Sequence, residues 1–116
     1  MNIKKNNQIN YVEFKANDLE KIKKFYHQVF GWNFIDYGPT YVAFSESGID
    51  GGFEKTDENI VIGTLVVLYH QDLDNIKGNI IEAGGKISKD IFSFPGGHRF
   101  QFIDPTGNEL AVWSDK

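Results

Sequence analysis

The sequence predicts an α+β fold built from two βαβββ modules. Three observations predict it. Two segments, residues 8–16 and 63–70, have the alternation and β-forming residues typical of strands. A stretch with helical spacing of apolar residues follows each of them, and three short strand-like segments follow each helix. The second half of the chain therefore repeats the order of the first half.

In the first module, residues 8–16 are predicted to form a strand. Asn17 is a suitable helix N-cap, and Glu20 stands three residues later, as in a capping box. Gly31 supplies the C-terminal stop. The apolar positions at helical spacing are Leu19, Ile22, Phe25, Tyr26, Val29 and Phe30. Three strands are predicted next, at residues 32–37, 40–46 and 51–55.

In the second module, residues 63–70 are predicted to form a strand and Asp72 to begin the second helix. Leu73, Ile76, Ile80 and Ala83 share one face of that helix, and Gly84-Gly85 ends it. Strands are predicted at residues 86–92, 98–103 and 108–114. Asp104-Pro105-Thr106-Gly107 is predicted to be the tight turn between the last two.

An alignment of the two halves supports the repeat. Placing residues 18–22 on 72–76 also aligns Val12 with Val66 and Gly31 with Gly85. We expect a single domain over residues 1–116 with internal modules at about 8–55 and 63–114, because 116 residues suffice for one hydrophobic core.

The composition of the chain argues against several classes of function. The formal net charge of −4 provides no basic surface for nucleic acid or anionic lipid. The absence of cysteine excludes disulfides, thiolate nucleophiles and cysteine-bound zinc. No apolar run is long enough for a membrane span, and the first ten residues lack the apolar core of a signal peptide. We therefore expect a cytoplasmic protein with neither nucleic acid nor membrane as a partner.

Several short motifs recur in a fixed order along nearly the whole chain. They are Asn17-Asp18-Leu19-Glu20, residues 25–32 (FYHQVFGW), Gln71-Asp72-Leu73-Asp74, Ala83-Gly84-Gly85-Lys86 and residues 102–108 (FIDPTGN). In this order they resemble the vicinal oxygen chelate superfamily of glyoxalases, bleomycin-resistance proteins and extradiol dioxygenases. The subgroup with most similarity is that of small bacterial glyoxalase-like proteins. The resemblance implies the glyoxalase/bleomycin-resistance fold, in which curled sheets surround a central cleft, and it implies a homodimer.

The resemblance also implies where a metal would bind. Relatives place their ligands on the first and last strand of each module, and the corresponding positions here are Tyr11, Gly52, Leu65 and Ala111. None is His, Glu, Asp or Gln, and Gly, Leu and Ala have no side-chain donor for a divalent cation. We therefore expect no metal and no other cofactor.

Strand alternation then predicts the lining of the cleft. If Tyr11 faces inward, Glu13 and Lys15 do so as well, since residues two apart share a face. The same rule applied to the other strands gives a mixed aromatic and polar pocket, typical of small-molecule sites. The predicted ligand-binding residues are Tyr11, Glu13, Leu65, Val67, Tyr69, Arg99, Gln101 and Trp113, with Glu54 as a further polar group and Glu109 on the same face but solvated.

Alternatives remain open at this point. Glu13 and Arg99 would equally suit an ion pair between the modules, and Tyr69 and Trp113 would equally suit core or dimer contacts. The loop over residues 94–98 is expected at the cleft mouth by analogy with relatives, where its glycines would permit a flap.

Three functions follow from these predictions. The first is a metal-free small-molecule-binding protein that holds its ligand in the cleft, as bleomycin-resistance proteins do. The second is a glyoxalase-like lyase or related enzyme with Glu13 as the candidate catalytic base, either without metal or with a relocated metal on Glu13 and Glu54. The third is an interaction role in which the cleft is collapsed. Fold alone does not separate them.

Overall fold

The computed structural model describes residues 4–116, so residues 1–3 of the predicted domain lie outside the described part. The elements, in chain order, are β1 (Tyr11–Ala16), α1 (Leu19–Phe30), β2 (Asn33–Asp36), β3 (Tyr41–Ser45), β4 (Asp50–Lys55), β5 (Val66–Tyr69), α2 (Leu73–Glu82), β6 (Lys86–Phe94), β7 (Gly97–Ile103) and β8 (Glu109–Ser114). This is the predicted order, with strand ends displaced by a few residues. Neither helix has the length and apolar character needed to cross a bilayer.

The two modules form two four-stranded mixed sheets of the same topology. The strand orders are β1-β4-β3-β2 and β5-β8-β7-β6. In each sheet the first strand pairs in parallel with the last, and the other pairs are antiparallel. The two sheets are not joined into one. The predicted α+β fold of two βαβββ modules is confirmed.

The helix boundaries follow from side-chain caps, with one correction. Asp18, rather than the predicted Asn17, is the N-cap of α1, because its carboxylate accepts a 3.0 Å hydrogen bond from the Lys21 amide. Asp72 caps α2 in the same way through the Asn75 amide at 3.1 Å. Gly31 ends α1 with φ of 76°, a left-handed conformation that glycine adopts without steric cost.

The helix-facing sides of both sheets share one aromatic core. On α1, Phe25 and Phe30 pack on Phe102 of the second sheet, with ring centroids 6.1 and 6.0 Å apart. Tyr26, on the same helix, stacks on Trp32 at 4.6 Å and packs on Phe53 of the first sheet at 5.4 Å. Since α1 contacts both sheets, it joins the modules through their apolar sides.

Two buried polar contacts reinforce the junction between modules. The Tyr26 hydroxyl donates a 2.9 Å hydrogen bond to Asp104, and the Asn108 side-chain amide donates to the Lys15 carbonyl at 2.8 Å. The other oxygen of Asp104 accepts hydrogen bonds from the backbone amides of residues 106–108, which holds the predicted turn. With the helix-facing sides joined in this way, the opposite faces of both sheets are left more exposed.

The segment over residues 94–98, whose glycines were expected to permit a flap, is a tight hairpin. Phe94 pairs with Gly97, so Pro95 and Gly96 alone form the turn between β6 and β7. A Cβ on Gly97 would lie 2.0 Å from the Ser114 carbonyl oxygen, so the hairpin packs closely against the C-terminal strand. The glycine at position 97 therefore serves close packing, and motion of this hairpin as a flap stays a prediction.

Candidate functional site

Strand alternation places the predicted first-module residues on one exposed face of the first sheet. Along β1, Tyr11, Glu13 and Lys15 are exposed, while Val12 and Phe14 are half-buried and Ala16 is buried, as predicted. Side-chain contacts bring Tyr41 from β3 and Glu54 from β4 to the same place. We call this set of Tyr11, Glu13, Lys15, Tyr41 and Glu54 the first face.

A chain of hydrogen bonds orders the aromatic part of the first face. The hydroxyls of Tyr11 and Tyr41 are 2.6 Å apart, and Tyr41 donates to Glu13 at 3.1 Å. A phenol has one proton, so Tyr41 accepts from Tyr11 while it donates to Glu13. Burial, together with the hydrogen bonds to Tyr11 and Glu13, raises the pKa of Tyr41, so the phenol stays protonated over the physiological range.

The charged part of the first face is a cation between two carboxylates. The Lys15 ammonium group contacts Glu54 and lies 3.4 Å from Glu13. The hydrogen bond to Glu54 is the largest of the effects that raise the pKa of Lys15. Together, Lys15 and the two carboxylates carry a formal net charge of −1. A relocated metal on Glu13 and Glu54 would have to displace Lys15 from between them.

The premise of the enzyme alternative is not met at Glu13. A general base of this kind was expected in apolar surroundings, but the Glu13 side chain is 43% exposed and lies next to Lys15. Glu13 is therefore solvated and next to a cation, not in the apolar surroundings that the enzyme alternative expected.

Gly52 lies beneath the tyrosine pair and has no room for any side chain. A Cβ at this position would lie 2.6 Å from the Tyr41 hydroxyl oxygen, 2.7 Å from that of Tyr11 and 2.6 Å from the Val42 carbonyl oxygen. Real Cβ contacts essentially never fall below 3.0 Å. The position at which relatives carry a chelating side chain is therefore filled here by the two phenols and the neighbouring strand.

The predicted second-module residues lie on the corresponding face of the second sheet. Val67 and Tyr69 are about half exposed, while Val66 and Leu68 pack on the core. Directly paired residues share a face, and the register pairs Arg99 with Trp113 and Gln101 with Ala111. We call this the second face, with Val67, Tyr69, Arg99, Gln101 and Trp113 as its members. Leu65 is half-buried and precedes β5.

Polar contacts within the second face differ from the predicted ion pair. Glu109 was expected to be solvated, but it is half-buried and accepts hydrogen bonds from Ser88 at 2.7 Å and from Gln101 at 3.1 Å. Arg99 donates to Gln101 at 3.4 Å. Among residues 4–116, Glu13 pairs with Lys15 and not with Arg99. The ion-pair alternative between Glu13 and Arg99 is therefore not found within the chain.

The site residues border different cavities. A cavity of about 1110 Å³ contains Tyr11 and Glu13 in its wall, together with the linker at residues 55–64 and Glu109. A second, of about 500 Å³, is bordered by Val67 and Tyr69 and by residues of the first module. The structure thus places the predicted residues on two sheet faces, with the linker cavity next to the first.

The donor set does not fit the divalent metal of the superfamily. In the part of the chain that the structure describes, no three His, Asp or Glu side chains converge in a way that could hold an ion. Of the four positions identified by the resemblance, Gly52 has no room for a side chain and Ala111 is fully buried. Leu65 has no donor atom, and the phenol of Tyr11 is committed to Tyr41.

The sequence prediction omitted three residues that the structure adds to these faces. Tyr41 would have been found by applying strand alternation to β3, since it faces the same way as Ala43 opposite Gly52. Phe92 and Lys89 flank Arg99 and Gln101 across β6. Register shifts interrupt β6 between Ile87 and Phe92, so simple alternation fails along this strand.

These features define a class of protein: two βαβββ modules joined through their helices, each presenting an ordered polar and aromatic face. The sequence model of the Glyoxalase/Bleomycin resistance protein/Dioxygenase superfamily matches residues 8–112. The chain belongs to this superfamily. No match was found among curated protein sequences.

Solved structures share the fold at low sequence identity. A glyoxalase/bleomycin resistance protein/dioxygenase family enzyme from Burkholderia phytofirmans has a TM-score of 0.81 at 19% identity. The match covers 92% of this chain and 98% of that one. A fosfomycin resistance protein from Listeria monocytogenes has a TM-score of 0.79 at 16% identity, covering 92% of each chain. A lactoylglutathione lyase from Agrobacterium tumefaciens has a TM-score of 0.72 at 20% identity, covering 96% of each.

Proposed function

We propose that the protein is a metal-free member of the superfamily that binds a small molecule against its exposed sheet faces. The observation that carries the proposal is the packing at Gly52. Two phenols and a backbone carbonyl occupy the space that a chelating side chain would need. The remaining polar groups of the first face are ordered by mutual hydrogen bonds, which suits recognition of a ligand more than coordination of an ion.

The adjoining cavity supports this proposal. Its volume of about 1110 Å³ is slightly above the usual range of about 300–1,000 Å³ for small-molecule sites. Ile9, Val61 and Ile62 give it an apolar wall, and Tyr11 and Glu13 give it a polar one. An amphipathic compound would bury its apolar part against the linker and place its polar group on the first face.

The test combines elemental analysis with a ligand panel. Protein purified without added metal should contain no stoichiometric divalent ion, and chelator treatment should leave its melting temperature unchanged. A true ligand at 100 times its Kd should stabilise the fold by about 2.7 kcal/mol, which corresponds to roughly 10 °C for a chain of this size. Stoichiometric metal, or a diverse panel without any shift, would contradict the proposal.

The same experiment separates binding from catalysis. A bound ligand should be recovered unchanged after incubation, as judged by mass spectrometry. Conversion by the wild type but not by Glu13→Gln, which keeps the shape of the side chain and removes its basicity, would favour the lyase alternative. It would overturn the binding proposal.

A homodimer is the second part of the proposal. β1 and β5 are edge strands that each pair on one side only, and unpaired edges favour association. Three exposed apolar side chains, Ile9, Val61 and Ile62, lie beside them and are 55–87% exposed. A second copy that covers this region would bury both the edges and the apolar patch, so that the linker cavity and its ligand would lie at the dimer interface. The cytoplasmic location stays a prediction.

Light scattering tests the dimer. The wild type should show twice the mass of one chain, and Ile62→Lys should dissociate it by placing a charge in the contact. Ile81→Lys is the matched control, since Ile81 is similarly exposed but lies on α2. A wild type that is monomeric at all concentrations, or equal behaviour of the two variants, would contradict the assembly.

A further inference from the structure

One row of side chains crosses all four strands of the second sheet on its exposed face. The register pairs Phe92 with Arg99, Arg99 with Trp113 and Trp113 with Tyr69. Tyr69 and Trp113 meet edge to face with centroids 5.2 Å apart, and Phe94 lies 6.4 Å from Trp113. The row is therefore an aromatic strip with one cation within it.

The cation of this row, Arg99, forms no ion pair with any other residue of the described range 4–116. The Arg99 guanidinium lies 5.3 Å from the centroid of the Phe92 ring, and its one hydrogen bond, to Gln101, is long at 3.4 Å. Its Nε is buried and has no hydrogen-bond partner among the described residues. A guanidinium has five donors in a planar fork that matches a carboxylate, and a buried donor without a partner costs stability.

A second cation lies against the same ring. The Lys89 ammonium group is 4.4 Å from the Phe92 centroid, and Lys89 pairs with Gln101 across the strands. Two carboxylates near this face already have partners: Glu109 accepts hydrogen bonds from Ser88 and Gln101, and Asp115 accepts one from the Tyr69 hydroxyl at 2.6 Å. Two cations therefore flank one phenyl ring, and neither forms an ion pair within the part of the chain that the structure describes, although the whole chain carries a net charge of −4.

We propose that the second face binds a planar aromatic carboxylate. The carboxylate would lie on Arg99 with Lys89 beside it, and the arene would lie along Trp113 and Tyr69. Neighbouring strands are about 4.8 Å apart, so Tyr69 is about 10 Å from Arg99, a distance that a fused ring system can span. This inference rests on the proposed small-molecule function and adds a binding site on the second face, with its own class of ligand, to the one in the linker cavity.

Charge and ring are both required by this arrangement. An aliphatic acid would satisfy Arg99 but leave the aromatic strip in water. A neutral arene would cover the strip but leave the Arg99 donors unpaired. The ligand class is therefore defined by having both groups on one rigid molecule.

The test uses 2-naphthoate as the probe, measured by isothermal titration calorimetry. The neutral control compound is 2-naphthylmethanol, and the non-aromatic control compound is cyclohexanecarboxylate. We expect 2-naphthoate to bind and both control compounds to bind at least tenfold more weakly. Affinity should also fall with added salt, because a charge pair contributes. Absence of naphthoate binding, or equal binding of the alcohol, would overturn the inference.

Variants assign the effect to the two cations. Arg99→Gln should weaken naphthoate binding at least tenfold, Arg99→Lys should weaken it less, and Lys89→Gln should weaken it about threefold. Lys24→Gln on α1 removes the same charge from an exposed position elsewhere and should have no effect. Circular dichroism and melting temperature check that each variant is folded. Equal binding by the wild type and both Arg99 variants would overturn the inference.

The outcomes also separate this inference from the function on which it rests. If neutral or cationic compounds of the panel bind and Arg99→Gln leaves them unchanged, the binding function stands and the aromatic carboxylate is wrong. If no compound binds, both fail. If Arg99→Gln changes the oligomeric state in light scattering, a second copy of the chain covers Arg99, and the ligand assignment is overturned.

Discussion

Replacing Gly52 by alanine tests the steric argument on which the metal-free proposal depends. A chelating side chain at this position needs at least a Cβ, and this Cβ would lie 2.6–2.7 Å from two phenol oxygens and the Val42 carbonyl oxygen. The phenols of Tyr11 and Tyr41 can move by rotation about their side-chain bonds. The carbonyl is part of the β3–β4 pairing and cannot move without distorting the sheet.

The expected magnitude is the difference of two terms. Overpacking by one methyl group costs about 1–3 kcal/mol. Alanine also reduces the conformational freedom of the unfolded chain relative to glycine, which raises the free energy of unfolding by about 0.4–1 kcal/mol. We therefore expect Gly52→Ala to lower the free energy of unfolding by about 1–2 kcal/mol, or roughly 4–8 °C in melting temperature for a chain of this size.

The assay is thermal and denaturant unfolding with two comparison variants. Gly63→Ala is the matched control, because nothing lies within 4 Å of its Cβ and it should be as stable as the wild type or more so. Adding Tyr41→Phe to Gly52→Ala should recover part of the loss, since it removes one of the three close atoms. Equal stability of Gly52→Ala and Gly63→Ala would show that the space is available and would refute the reasoning.

Three further predictions concern stability. Tyr26→Phe should cost about 1–3 kcal/mol, because it leaves a buried Asp104 oxygen unpaired. Burial raises the pKa of Asp104, and the Tyr26 hydrogen bond opposes this shift, so the variant raises this pKa further. A carboxyl group whose pKa is raised in the folded state lowers the free energy of unfolding as the pH rises through that pKa. The stability lost in Tyr26→Phe should therefore become smaller as the pH falls through the pKa of Asp104, as measured by chemical unfolding at several pH values. A loss that does not change with pH would contradict this. Gly78→Ala, in the exposed interior of α2, should raise the free energy of unfolding by about 0.5–1 kcal/mol in denaturant titrations. Asp72→Ala should lower it by about 0.5–2 kcal/mol through loss of the α2 cap, and an unchanged midpoint would count against that cap.

Much of the fold could be predicted because local patterns and the internal repeat agree. Helical spacing located α1 and α2, and alternation gave the correct face to each residue of β1, where the split between core and exposed face is clean. The N-cap of α1 was misplaced by one residue because Asn17 and Asp18 are both good caps. Which of them turns its side chain onto the helix depends on the path of the preceding strand.

The candidate site was predicted less completely, since it depends on contacts between distant segments. Register shifts in β6 hid Lys89 and Phe92, because a bulge changes which residues face outward. Glu13 was placed on the correct face, but its partner Tyr41 comes from β3, and alternation along β1 does not describe contacts with other strands. Residue type and strand alternation predict which face of the sheet a side chain lies on. Its contacts with side chains of other strands can be predicted only when the register of the sheet is known.

From the sequence alone came the superfamily, the two βαβββ modules and the lack of chelating side chains at four positions, because each of these is carried by residue identity and spacing along the chain. Tertiary structure alone decided that Gly52 has no room for a side chain, that Lys15 pairs with Glu54 and that Arg99 has no carboxylate partner within the described residues. The physical reason is that steric fit and charge pairing act over a few ångströms between segments far apart in sequence. Only the packed sheets bring those segments within that range.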